Sequence, residues 1–244
     1  MADFQDCRAV IFDLMGTCTD WHSALLPAIT SLPSLAPPLL ITPSDLLLQW
    51  RLGFFEEIHS RFERGEDPED IDVTHRRVLD RIIGEREGWS DGQRDVLVKG
   101  WHKQVGWPDS KPGIDRLRQK FDVVVLANGT TRLQLDVVRS SGLLFHSLFS
   151  SQLLGLTKPD PLIYHRAVSL LGLHPHQCVM VAAHAYDVRA AKAVGMKTIY
   201  IQRWTEDPDL NMSILRKEFD AFVDGRNTTS TGGGLISVAD CLGA

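Results

Sequence analysis

Asp13 is the residue best placed to do chemistry in this sequence, because it directly follows the apolar run Ala9-Val-Ile-Phe12. Such a run predicts a buried strand, and burial disfavours a charged carboxylate unless the fold supplies donors or a cation. Lys158, just before the helix-starting Asp160-Pro161, is a candidate for that cation. A helix-capping aspartate and a solvated surface lysine are the simpler alternatives. We predict instead that Asp13 is a functional carboxylate and that Lys158 is the cation it requires.

Four short apolar runs predict the strands that would position these residues. They are rich in β-branched residues and do not alternate with polar ones, which is typical of strands buried on both faces. Helical patterns with clear start and stop residues separate them. This alternation predicts an α/β fold with a doubly wound, parallel, Rossmann-like sheet that binds ligands at the carboxyl ends of its strands. The predicted strands are Ala9–Phe12, Val123–Leu126, Val179–Val181 and Thr198–Ile201.

Residues 21–106 break this alternation, because they contain helical patterns and no convincing strand. Thr42-Pro-Ser-Asp45 and Ser90-Asp-Gly-Gln93 have the capping-box pattern that begins a helix. The helices predicted to follow them are Leu46–Arg64 and Arg94–Gln104. We therefore expect two domains, a core of residues 1–20 and 107–244 and a helical cap of residues 21–106 inserted after the first strand.

The composition excludes several classes of function. A net charge of -5 and a pI near 6.0 give no basic surface for nucleic acid. No apolar stretch is long enough to predict a membrane span, and the N-terminal residues lack the pattern of a secretion signal. The four cysteines form no CxxC pair and no zinc-type cluster, so we expect reduced thiols. We predict a cytoplasmic protein that binds neither nucleic acid nor membranes.

Four short motifs occur in an order that resembles the haloacid dehalogenase superfamily. In that family the aspartate of the first motif attacks the substrate and forms a covalent ester, and the lysine of the third motif pairs with it. The resemblance covers the chain outside the helical insertion. The motifs are Asp13-Leu-Met-Gly-Thr17, Leu126-Ala-Asn-Gly-Thr130, Thr157-Lys-Pro-Asp-Pro161 and Val181-Ala-Ala-His-Ala-Tyr-Asp187.

Within the superfamily the pattern resembles the type II (L-2-)haloacid dehalogenases rather than the phosphatases. The phosphatases have a second aspartate two residues after the nucleophile, where this chain has Met15. They also have a Mg²⁺-binding carboxylate at one of the positions that Ala182 and Ala183 fill here, and a hard cation needs several oxygen ligands. The resemblance therefore implies no metal and no other cofactor. It implies a small carboxylate substrate that loses a leaving group from the carbon next to its carboxylate.

The resemblance also implies a role for each site residue. Asp13, Lys158, Asp187, His184 and Arg51 are expected to be catalytic, with Asp187 and Lys158 positioning the hydrolytic water and Arg51 holding the departing halide. Trp50-Arg51 matches a Trp-Arg pair on a cap helix of the family. The residues expected to bind the substrate are Met15, Thr17, Trp50, Ala127, Asn128 and Tyr186.

This chain departs from the family pattern at Met15, Ala127, Ala182 and His184. His184 replaces an asparagine of the leaving-group site, and a histidine can donate a proton as well as a hydrogen bond. One alternative is therefore the same mechanism acting on an aziridine or epoxide carboxylate, with His184 as the general acid. A Mg²⁺-dependent small-molecule phosphatase and a non-catalytic binding module are further alternatives. Whether the chain forms a homodimer stays open.

Overall fold

The computed structural model describes residues 3–67 and 69–244. The chain divides into two compact units by its internal contacts. The first comprises Met1–Asp20 and Gly106–Ala244, and the second comprises Trp21–Val105. Within the described residues, none of the helices combines the length and the apolar character needed to cross a membrane. All four cysteines are free thiols, and only Cys241 is exposed.

A six-stranded parallel sheet forms the centre of the first unit, with the strand order β5-β4-β1-β6-β7-β8. β1 lies between β4 and β6, and its Phe12 is in register with Val125 on one side and Val181 on the other. The predicted α/β fold with a parallel sheet is confirmed. The strands of this sheet are β1 (Ala9–Phe12), β4 (Asp122–Ala127), β5 (Ser147–Ser150), β6 (Cys178–Ala182), β7 (Lys197–Gln202) and β8 (Ala221–Asp224).

The inner strands form where the sequence has unbroken apolar runs, because both of their faces are covered. β1 and β6 are buried along their whole length. The chain runs from β1 to β4 on one side and later returns to β6 on the other, so the strand order reverses at β1. Ligands bind at such a reversal in open α/β sheets. The helices of this unit are α5 (Ser110–Leu117), α6 (Thr131–Ser141), α7 (Ser151–Leu154), α8 (Pro161–Leu170), α9 (Ala185–Ala193), α10 (Met212–Glu218) and α11 (Gly234–Leu242).

The second unit is helical, and two of its helices begin at the predicted capping boxes. Thr42 and Asp45 exchange side-chain and backbone hydrogen bonds at the start of one helix, and Ser90 and Gln93 do the same at the start of another. Trp21, Trp50 and Trp101 are fully buried in the core of this unit. The helices are α1 (Trp21–Thr30), α2 (Pro43–Glu63), α3 (Ile71–Ile83) and α4 (Asp91–Gly100).

One predicted helix end is wrong. The pattern over Arg94–Gln104 predicts a helix to Gln104, but α4 ends at Gly100. Glycine is a poor helix former, and the side chain of Gln104 donates a hydrogen bond to the carbonyl of Trp101 just beyond the helix. The apolar and polar pattern continues past Gly100 even though the helix does not. Two-residue strands, β2 (Thr19–Asp20) and β3 (Val105–Gly106), were not predicted either.

Candidate active site

Four of the chemistry-bearing residues of the first unit lie in the loops that follow the carboxyl ends of its strands. Asp13 follows β1, Asn128 follows β4, His184 follows β6 and Glu206 follows β7. Parallel strands end at the same edge of a sheet, so residues distant in the chain meet there. Backbone hydrogen bonding of the strands thus determines which side chains share the site.

Asp13 is buried, and both of its carboxylate oxygens accept hydrogen bonds. Lys158 Nζ lies 2.9 Å from Oδ1, and the Thr17 hydroxyl lies 2.7 Å from Oδ2. Burial alone would raise the pKa of Asp13, but the charges of Lys158 and His184 and the Thr17 hydroxyl hold it below its usual range. The carboxylate is therefore ionised at neutral pH. The predicted pairing of Asp13 with Lys158 is present in the structure.

Lys158 also contacts a second carboxylate, that of Asp187. Its ammonium group donates to Asp187 Oδ2 at 2.5 Å, and the Tyr164 hydroxyl donates to Oδ1 at 2.6 Å. Burial and the nearby charge of Asp13 raise the pKa of Asp187 despite the attraction of Lys158. Burial disfavours the charge of Lys158, but the two carboxylates together raise its pKa above the usual value. One buried cation thus joins two carboxylates whose pKa values move in opposite directions.

Hydrogen bonds between the loops hold Lys158 and Thr17 in place. The Asn128 side chain accepts a hydrogen bond from the backbone N–H of Lys158 and donates one to its carbonyl. The Thr17 hydroxyl, besides donating to Asp13, accepts from the backbone N–H of Ala183. These two side chains, predicted to bind the substrate, therefore have protein partners that orient the lysine and the carboxylate.

His184 lies beside Asp13 in a buried group of acidic side chains. Its Nε2 atom is 3.6 Å from Asp13 Oδ2 and 3.5 Å from Glu206 Oε2, and its Nδ1 atom is 3.9 Å from Asp207 Oδ1. Burial lowers the pKa of His184, but the charge of Glu206, the nearby Asp207 carboxylate and the charge of Asp13 together raise it to about 9. The ring is therefore an imidazolium at neutral pH.

The remaining predicted residues of this unit surround the same group. The carbonyl oxygen of Met15 lies 3.4 Å from His184 Nε2, and the Tyr186 ring stacks on the His184 ring with 5.8 Å between their centroids. Ala127 is buried at the end of β4, and its carbonyl accepts a hydrogen bond from the Gln134 side chain.

The donor set does not suit a divalent metal ion. Mg²⁺ prefers six oxygen ligands, but the space between Asp13 and Asp187 is taken by the ammonium group of Lys158. Met15, Ala182 and Ala183 contribute no side-chain oxygen. Over residues 3–67 and 69–244, no group of three or more histidine, cysteine, aspartate or glutamate side chains is arranged to hold a metal.

Trp50 and Arg51 belong to the helical unit, where both are buried on α2. The Arg51 guanidinium lies over the Phe55 ring, 4.4 Å from its centroid, and near the rings of Trp21 and Trp101. The Trp50 indole N–H donates to the carbonyl of His75 at 2.8 Å. Arg51 thus presents a guanidinium, a group that recognises anions, among aromatic rings.

Sequence reasoning missed Tyr164, Glu206 and Asp207 as members of the site. Tyr164 lies three residues after the third motif, and its hydroxyl donates a hydrogen bond to Asp187. Glu206 and Asp207 follow the end of β7, the last of the four predicted strands. Ligands bind at the carboxyl ends of parallel strands, and this rule applies to the end of β7 as well. It could therefore have identified Glu206 and Asp207 as candidate site residues.

Several known proteins resemble this chain in sequence and in fold. The chain is 24% identical over 219 residues to (S)-2-haloacid dehalogenase 4A of Burkholderia cepacia, a match that covers 88% of this chain and 91% of that protein. Its fold matches the crystal structure of the L-2-haloacid dehalogenase PA0810 with a TM-score of 0.80 and 29% identity, covering 97% and 99% of the two chains. It matches the defluorinating L-2-haloacid dehalogenase Rha0230 with a TM-score of 0.77 and 26% identity, covering 98% and 96%. The model of the haloacid dehalogenase-like hydrolase family matches residues 7–195. The chain therefore belongs to the haloacid dehalogenase-like hydrolases.

Proposed function

We propose that this hydrolase removes the halogen from small 2-halo carboxylates through an ester formed on Asp13. The observation that supports this most directly is the buried Asp13 carboxylate, which Lys158 and Thr17 hold ionised beside a second carboxylate, Asp187. The relatives named above are 2-haloacid dehalogenases, which supports halide displacement over the alternatives of ring opening and phosphate-ester hydrolysis. Membership of a hydrolase family argues against a non-catalytic binding module.

In the first step an Asp13 oxygen attacks the carbon next to the substrate carboxylate in line with the carbon–halogen bond. The carbon–oxygen bond of an ester forms, and the halide leaves with the bonding electrons. Lys158 keeps Asp13 ionised so that it can attack. We assign the backbone amides of Met15, Ala127 and Asn128 to the substrate carboxylate, and Thr17 and Tyr186 to the surroundings of the substrate.

In the second step water hydrolyses the ester and restores Asp13. Asp187, whose pKa is raised, is the candidate general base, because a higher pKa makes a carboxylate a stronger proton acceptor. Lys158 and Tyr164 hold the two Asp187 oxygens. The products are a 2-hydroxy acid, a halide ion and a proton. For Arg51 and Trp50 of the helical unit, the proposal of halide and substrate binding rests on the Trp-Arg motif alone.

The proposed reaction needs no metal and no organic cofactor, because Lys158 supplies the cation beside the nucleophile. A cytoplasmic location is proposed from the four free thiols. The proposed division into a core, residues 1–20 and 107–244, and a cap, residues 21–106, assigns the chemistry of attack and hydrolysis to the core. A homodimer is a further proposal that a sedimentation measurement can test.

A substrate panel in water enriched in ¹⁸O tests the proposed function. The panel contains 2-chloropropionate, an epoxide carboxylate and a phosphate ester, each assayed with and without EDTA. We expect release of chloride that EDTA does not affect, and ¹⁸O in the Asp13 side chain after several turnovers. Phosphate release that EDTA abolishes and Mg²⁺ restores would replace this proposal with the phosphatase. No turnover of any substrate and no label would favour the binding module.

A further inference from the structure

Glu206 belongs to the group around His184 but has no role in the reaction described so far. Its side chain is buried, and its Oε2 atom lies 3.5 Å from His184 Nε2. The charged or titratable groups that face the His184 ring are Asp13 from the loop after β1, Glu206 and Asp207 from the loop after β7, and Tyr186 from α9. Three of these four are carboxylates, so the group favours a positively charged ring.

The local structure holds Glu206 close to the catalytic loop. The Thr205 hydroxyl donates to Glu206 Oε1 at 2.9 Å. On the other side lies Gly16, whose φ of +84° suits glycine, and a Cβ atom there would lie 2.3 Å from Glu206 Oε1. A residue with a side chain at position 16 would displace the carboxylate. The absence of a side chain at Gly16 therefore allows Glu206 to approach His184.

The position of His184 allows it to reach a departing atom. A near-attack substrate places its reacting carbon about 3 to 3.5 Å from the attacking oxygen, and the leaving atom lies one covalent bond further. Nε2 is 3.6 Å from Asp13 Oδ2. The attacking Asp13 oxygen, the leaving atom and His184 Nε2 can therefore form a triangle in which Nε2 lies about 3 Å from the leaving atom, the length of a hydrogen bond.

Halides differ in how much they need such a donor. Bromide is large and weakly basic, and it leaves readily without help. Fluoride concentrates its charge on a small atom, forms strong hydrogen bonds and leaves poorly unless a donor stabilises it. A charged N–H donor is the stronger kind, and it acts most strongly in a buried site.

From this arrangement we infer that Glu206 is a positioning residue that keeps His184 a charged donor toward the leaving atom, and that the site thereby accepts 2-fluoro carboxylates. The inference rests on the proposed function and extends it to the carbon–fluorine bond. An Asp13 oxygen forms the ester bond to carbon, the carbon–fluorine bond breaks, and fluorine takes both bonding electrons while it accepts the His184 N–H. Hydrolysis then consumes one water, so the whole reaction releases one fluoride ion and one proton.

The first experiment uses the unaltered protein and compares two substrates. We expect turnover of 2-fluoropropionate, followed with a fluoride electrode, to fall as the pH rises through about 9, where His184 loses its proton. Turnover of 2-bromopropionate should lack this alkaline limb. If 2-bromopropionate is turned over but 2-fluoropropionate is not, or if both profiles have the same limb, the inference is wrong. If neither is turned over, the proposed function fails first.

The second experiment removes the charge of Glu206. Glu206→Gln should lower kcat/KM on 2-fluoropropionate about 10-fold or more near pH 8, approaching the loss in rate that removal of a positioned proton donor usually causes. On 2-bromopropionate kcat/KM should fall less than about 3-fold. Its alkaline limb on the fluoro acid should move to lower pH, whereas Glu206→Asp should restore most of the wild-type profile. The matched control is Glu218→Gln, which removes the charge of a partly exposed glutamate that pairs with Arg189 in the same unit and should change neither activity.

A measurement independent of activity separates positioning from folding. The ring signals of His184, assigned with His184→Asn, give its pKa by NMR titration in wild type and in Glu206→Gln. We expect a value near 9 in wild type and a lower one in the variant. Equal pKa values in the two proteins, or equal losses on both substrates, would overturn the role of Glu206. If Glu206→Gln does not fold, the wild-type titration and the two wild-type pH profiles decide the question.

Discussion

At the scale of single residues, two buried carboxylates contact the same lysine, and their pKa values are shifted in opposite directions. Lys158 and the Thr17 hydroxyl lower the pKa of Asp13, whereas burial and the charge of Asp13 raise that of Asp187. Environments that separate the pKa values of neighbouring acids identify which is the nucleophile and which is the base. The geometry thus supports opposite roles for two side chains of the same type.

Replacing the nucleophile should abolish turnover without unfolding the protein. Asp13→Asn keeps the shape of the side chain, but an amide cannot form the ester. We expect kcat on 2-chloropropionate to fall by about 10⁴-fold or more, as for other nucleophile replacements. Activity and circular dichroism of freshly purified, undeamidated protein provide the measurement. Asp122→Asn, at an exposed position, is the control. Wild-type activity in Asp13→Asn would refute the assignment.

Removing the shared cation should shift the pH dependence of the reaction. Lys158 holds the pKa of Asp13 down, so in Lys158→Met that pKa rises and the carboxylate becomes protonated at higher pH. Asp13 must be ionised to attack, and the acid limb of kcat/KM should therefore move to higher pH. Profiles on 2-chloropropionate measure this shift, with the exposed Lys111→Met as the control. Profiles that coincide with wild type would show that Lys158 does not act on Asp13.

At the scale of secondary-structure elements, buried strands were more predictable than edge strands. The continuous apolar runs of β1, β4, β6 and β7 are recognisable because both faces of these strands are covered. The edge strands β5 and β8 were not predicted, since their runs of consecutive apolar residues are only two and three residues long and end at a serine and an aspartate. Their short sequences do not distinguish a strand from a loop without the neighbouring strand.

The site was predictable where a residue lies in a short, recognisable sequence motif. Asp13, Lys158 and Asp187 could be placed together because each is part of such a motif. Glu206 could not be connected with His184 in the same way, because 22 positions and a whole strand separate them. Their proximity depends on how β6 and β7 pair and on the path of the loop after β7.

A helix start in the second unit provides a prediction at this scale. Thr42 caps α2, accepting a hydrogen bond from the Asp45 N–H at 3.1 Å. Thr42→Ala should lower the free energy of unfolding by about 1 kcal/mol, the usual cost of losing an N-cap. Urea unfolding followed by circular dichroism measures the change. Thr42→Ser retains a hydroxyl and should lose much less. Equal losses in both variants would mean that the cap bond is not the cause.

At the scale of the whole molecule, a buried ion pair connects distant parts of the first unit. The guanidinium of Arg203, just after β7, donates to both carboxylate oxygens of Asp109 at 2.9 and 2.7 Å. Arg203 also donates to the carbonyls of Thr17 and Gly225, and Asp109 accepts from the backbone N–H of Leu235 on α11. One pair thus links the nucleophile loop with the C-terminal helix.

Breaking this pair should destabilise the protein strongly. Asp109→Ala leaves the Arg203 charge buried without its partner carboxylate, which usually costs about 3 to 5 kcal/mol. The exposed pair of Asp224 and Arg226 is the matched control, and Asp224→Ala should cost less than about 1 kcal/mol. Urea unfolding of both variants measures the difference. Equal costs would show that burial of the Asp109 pair has no special effect.

The pH dependence of the free energy of unfolding should reveal the contribution of the Asp109–Arg203 pair. Burial raises the pKa of Asp109, but the hydrogen bonds and charge of Arg203 lower it below the unfolded value. Its stabilisation is therefore complete above the unfolded pKa and is lost as the pH falls through the folded pKa. The wild-type protein should lose more stability on acidification than Asp109→Ala.

The close approach of Gly16 and Glu206 limits the order in which the two positions can change during evolution. A side chain at position 16 meets both a left-handed backbone and the Glu206 carboxylate, so it is expected to be harmful while the glutamate is present. Shortening position 206 first removes the collision and leaves only the backbone strain. In a library that randomises both codons, variants with alanine or asparagine at position 16 should be recovered mainly with a small residue at 206. The two positions would then show epistasis, with one mutational path open and the reverse path closed.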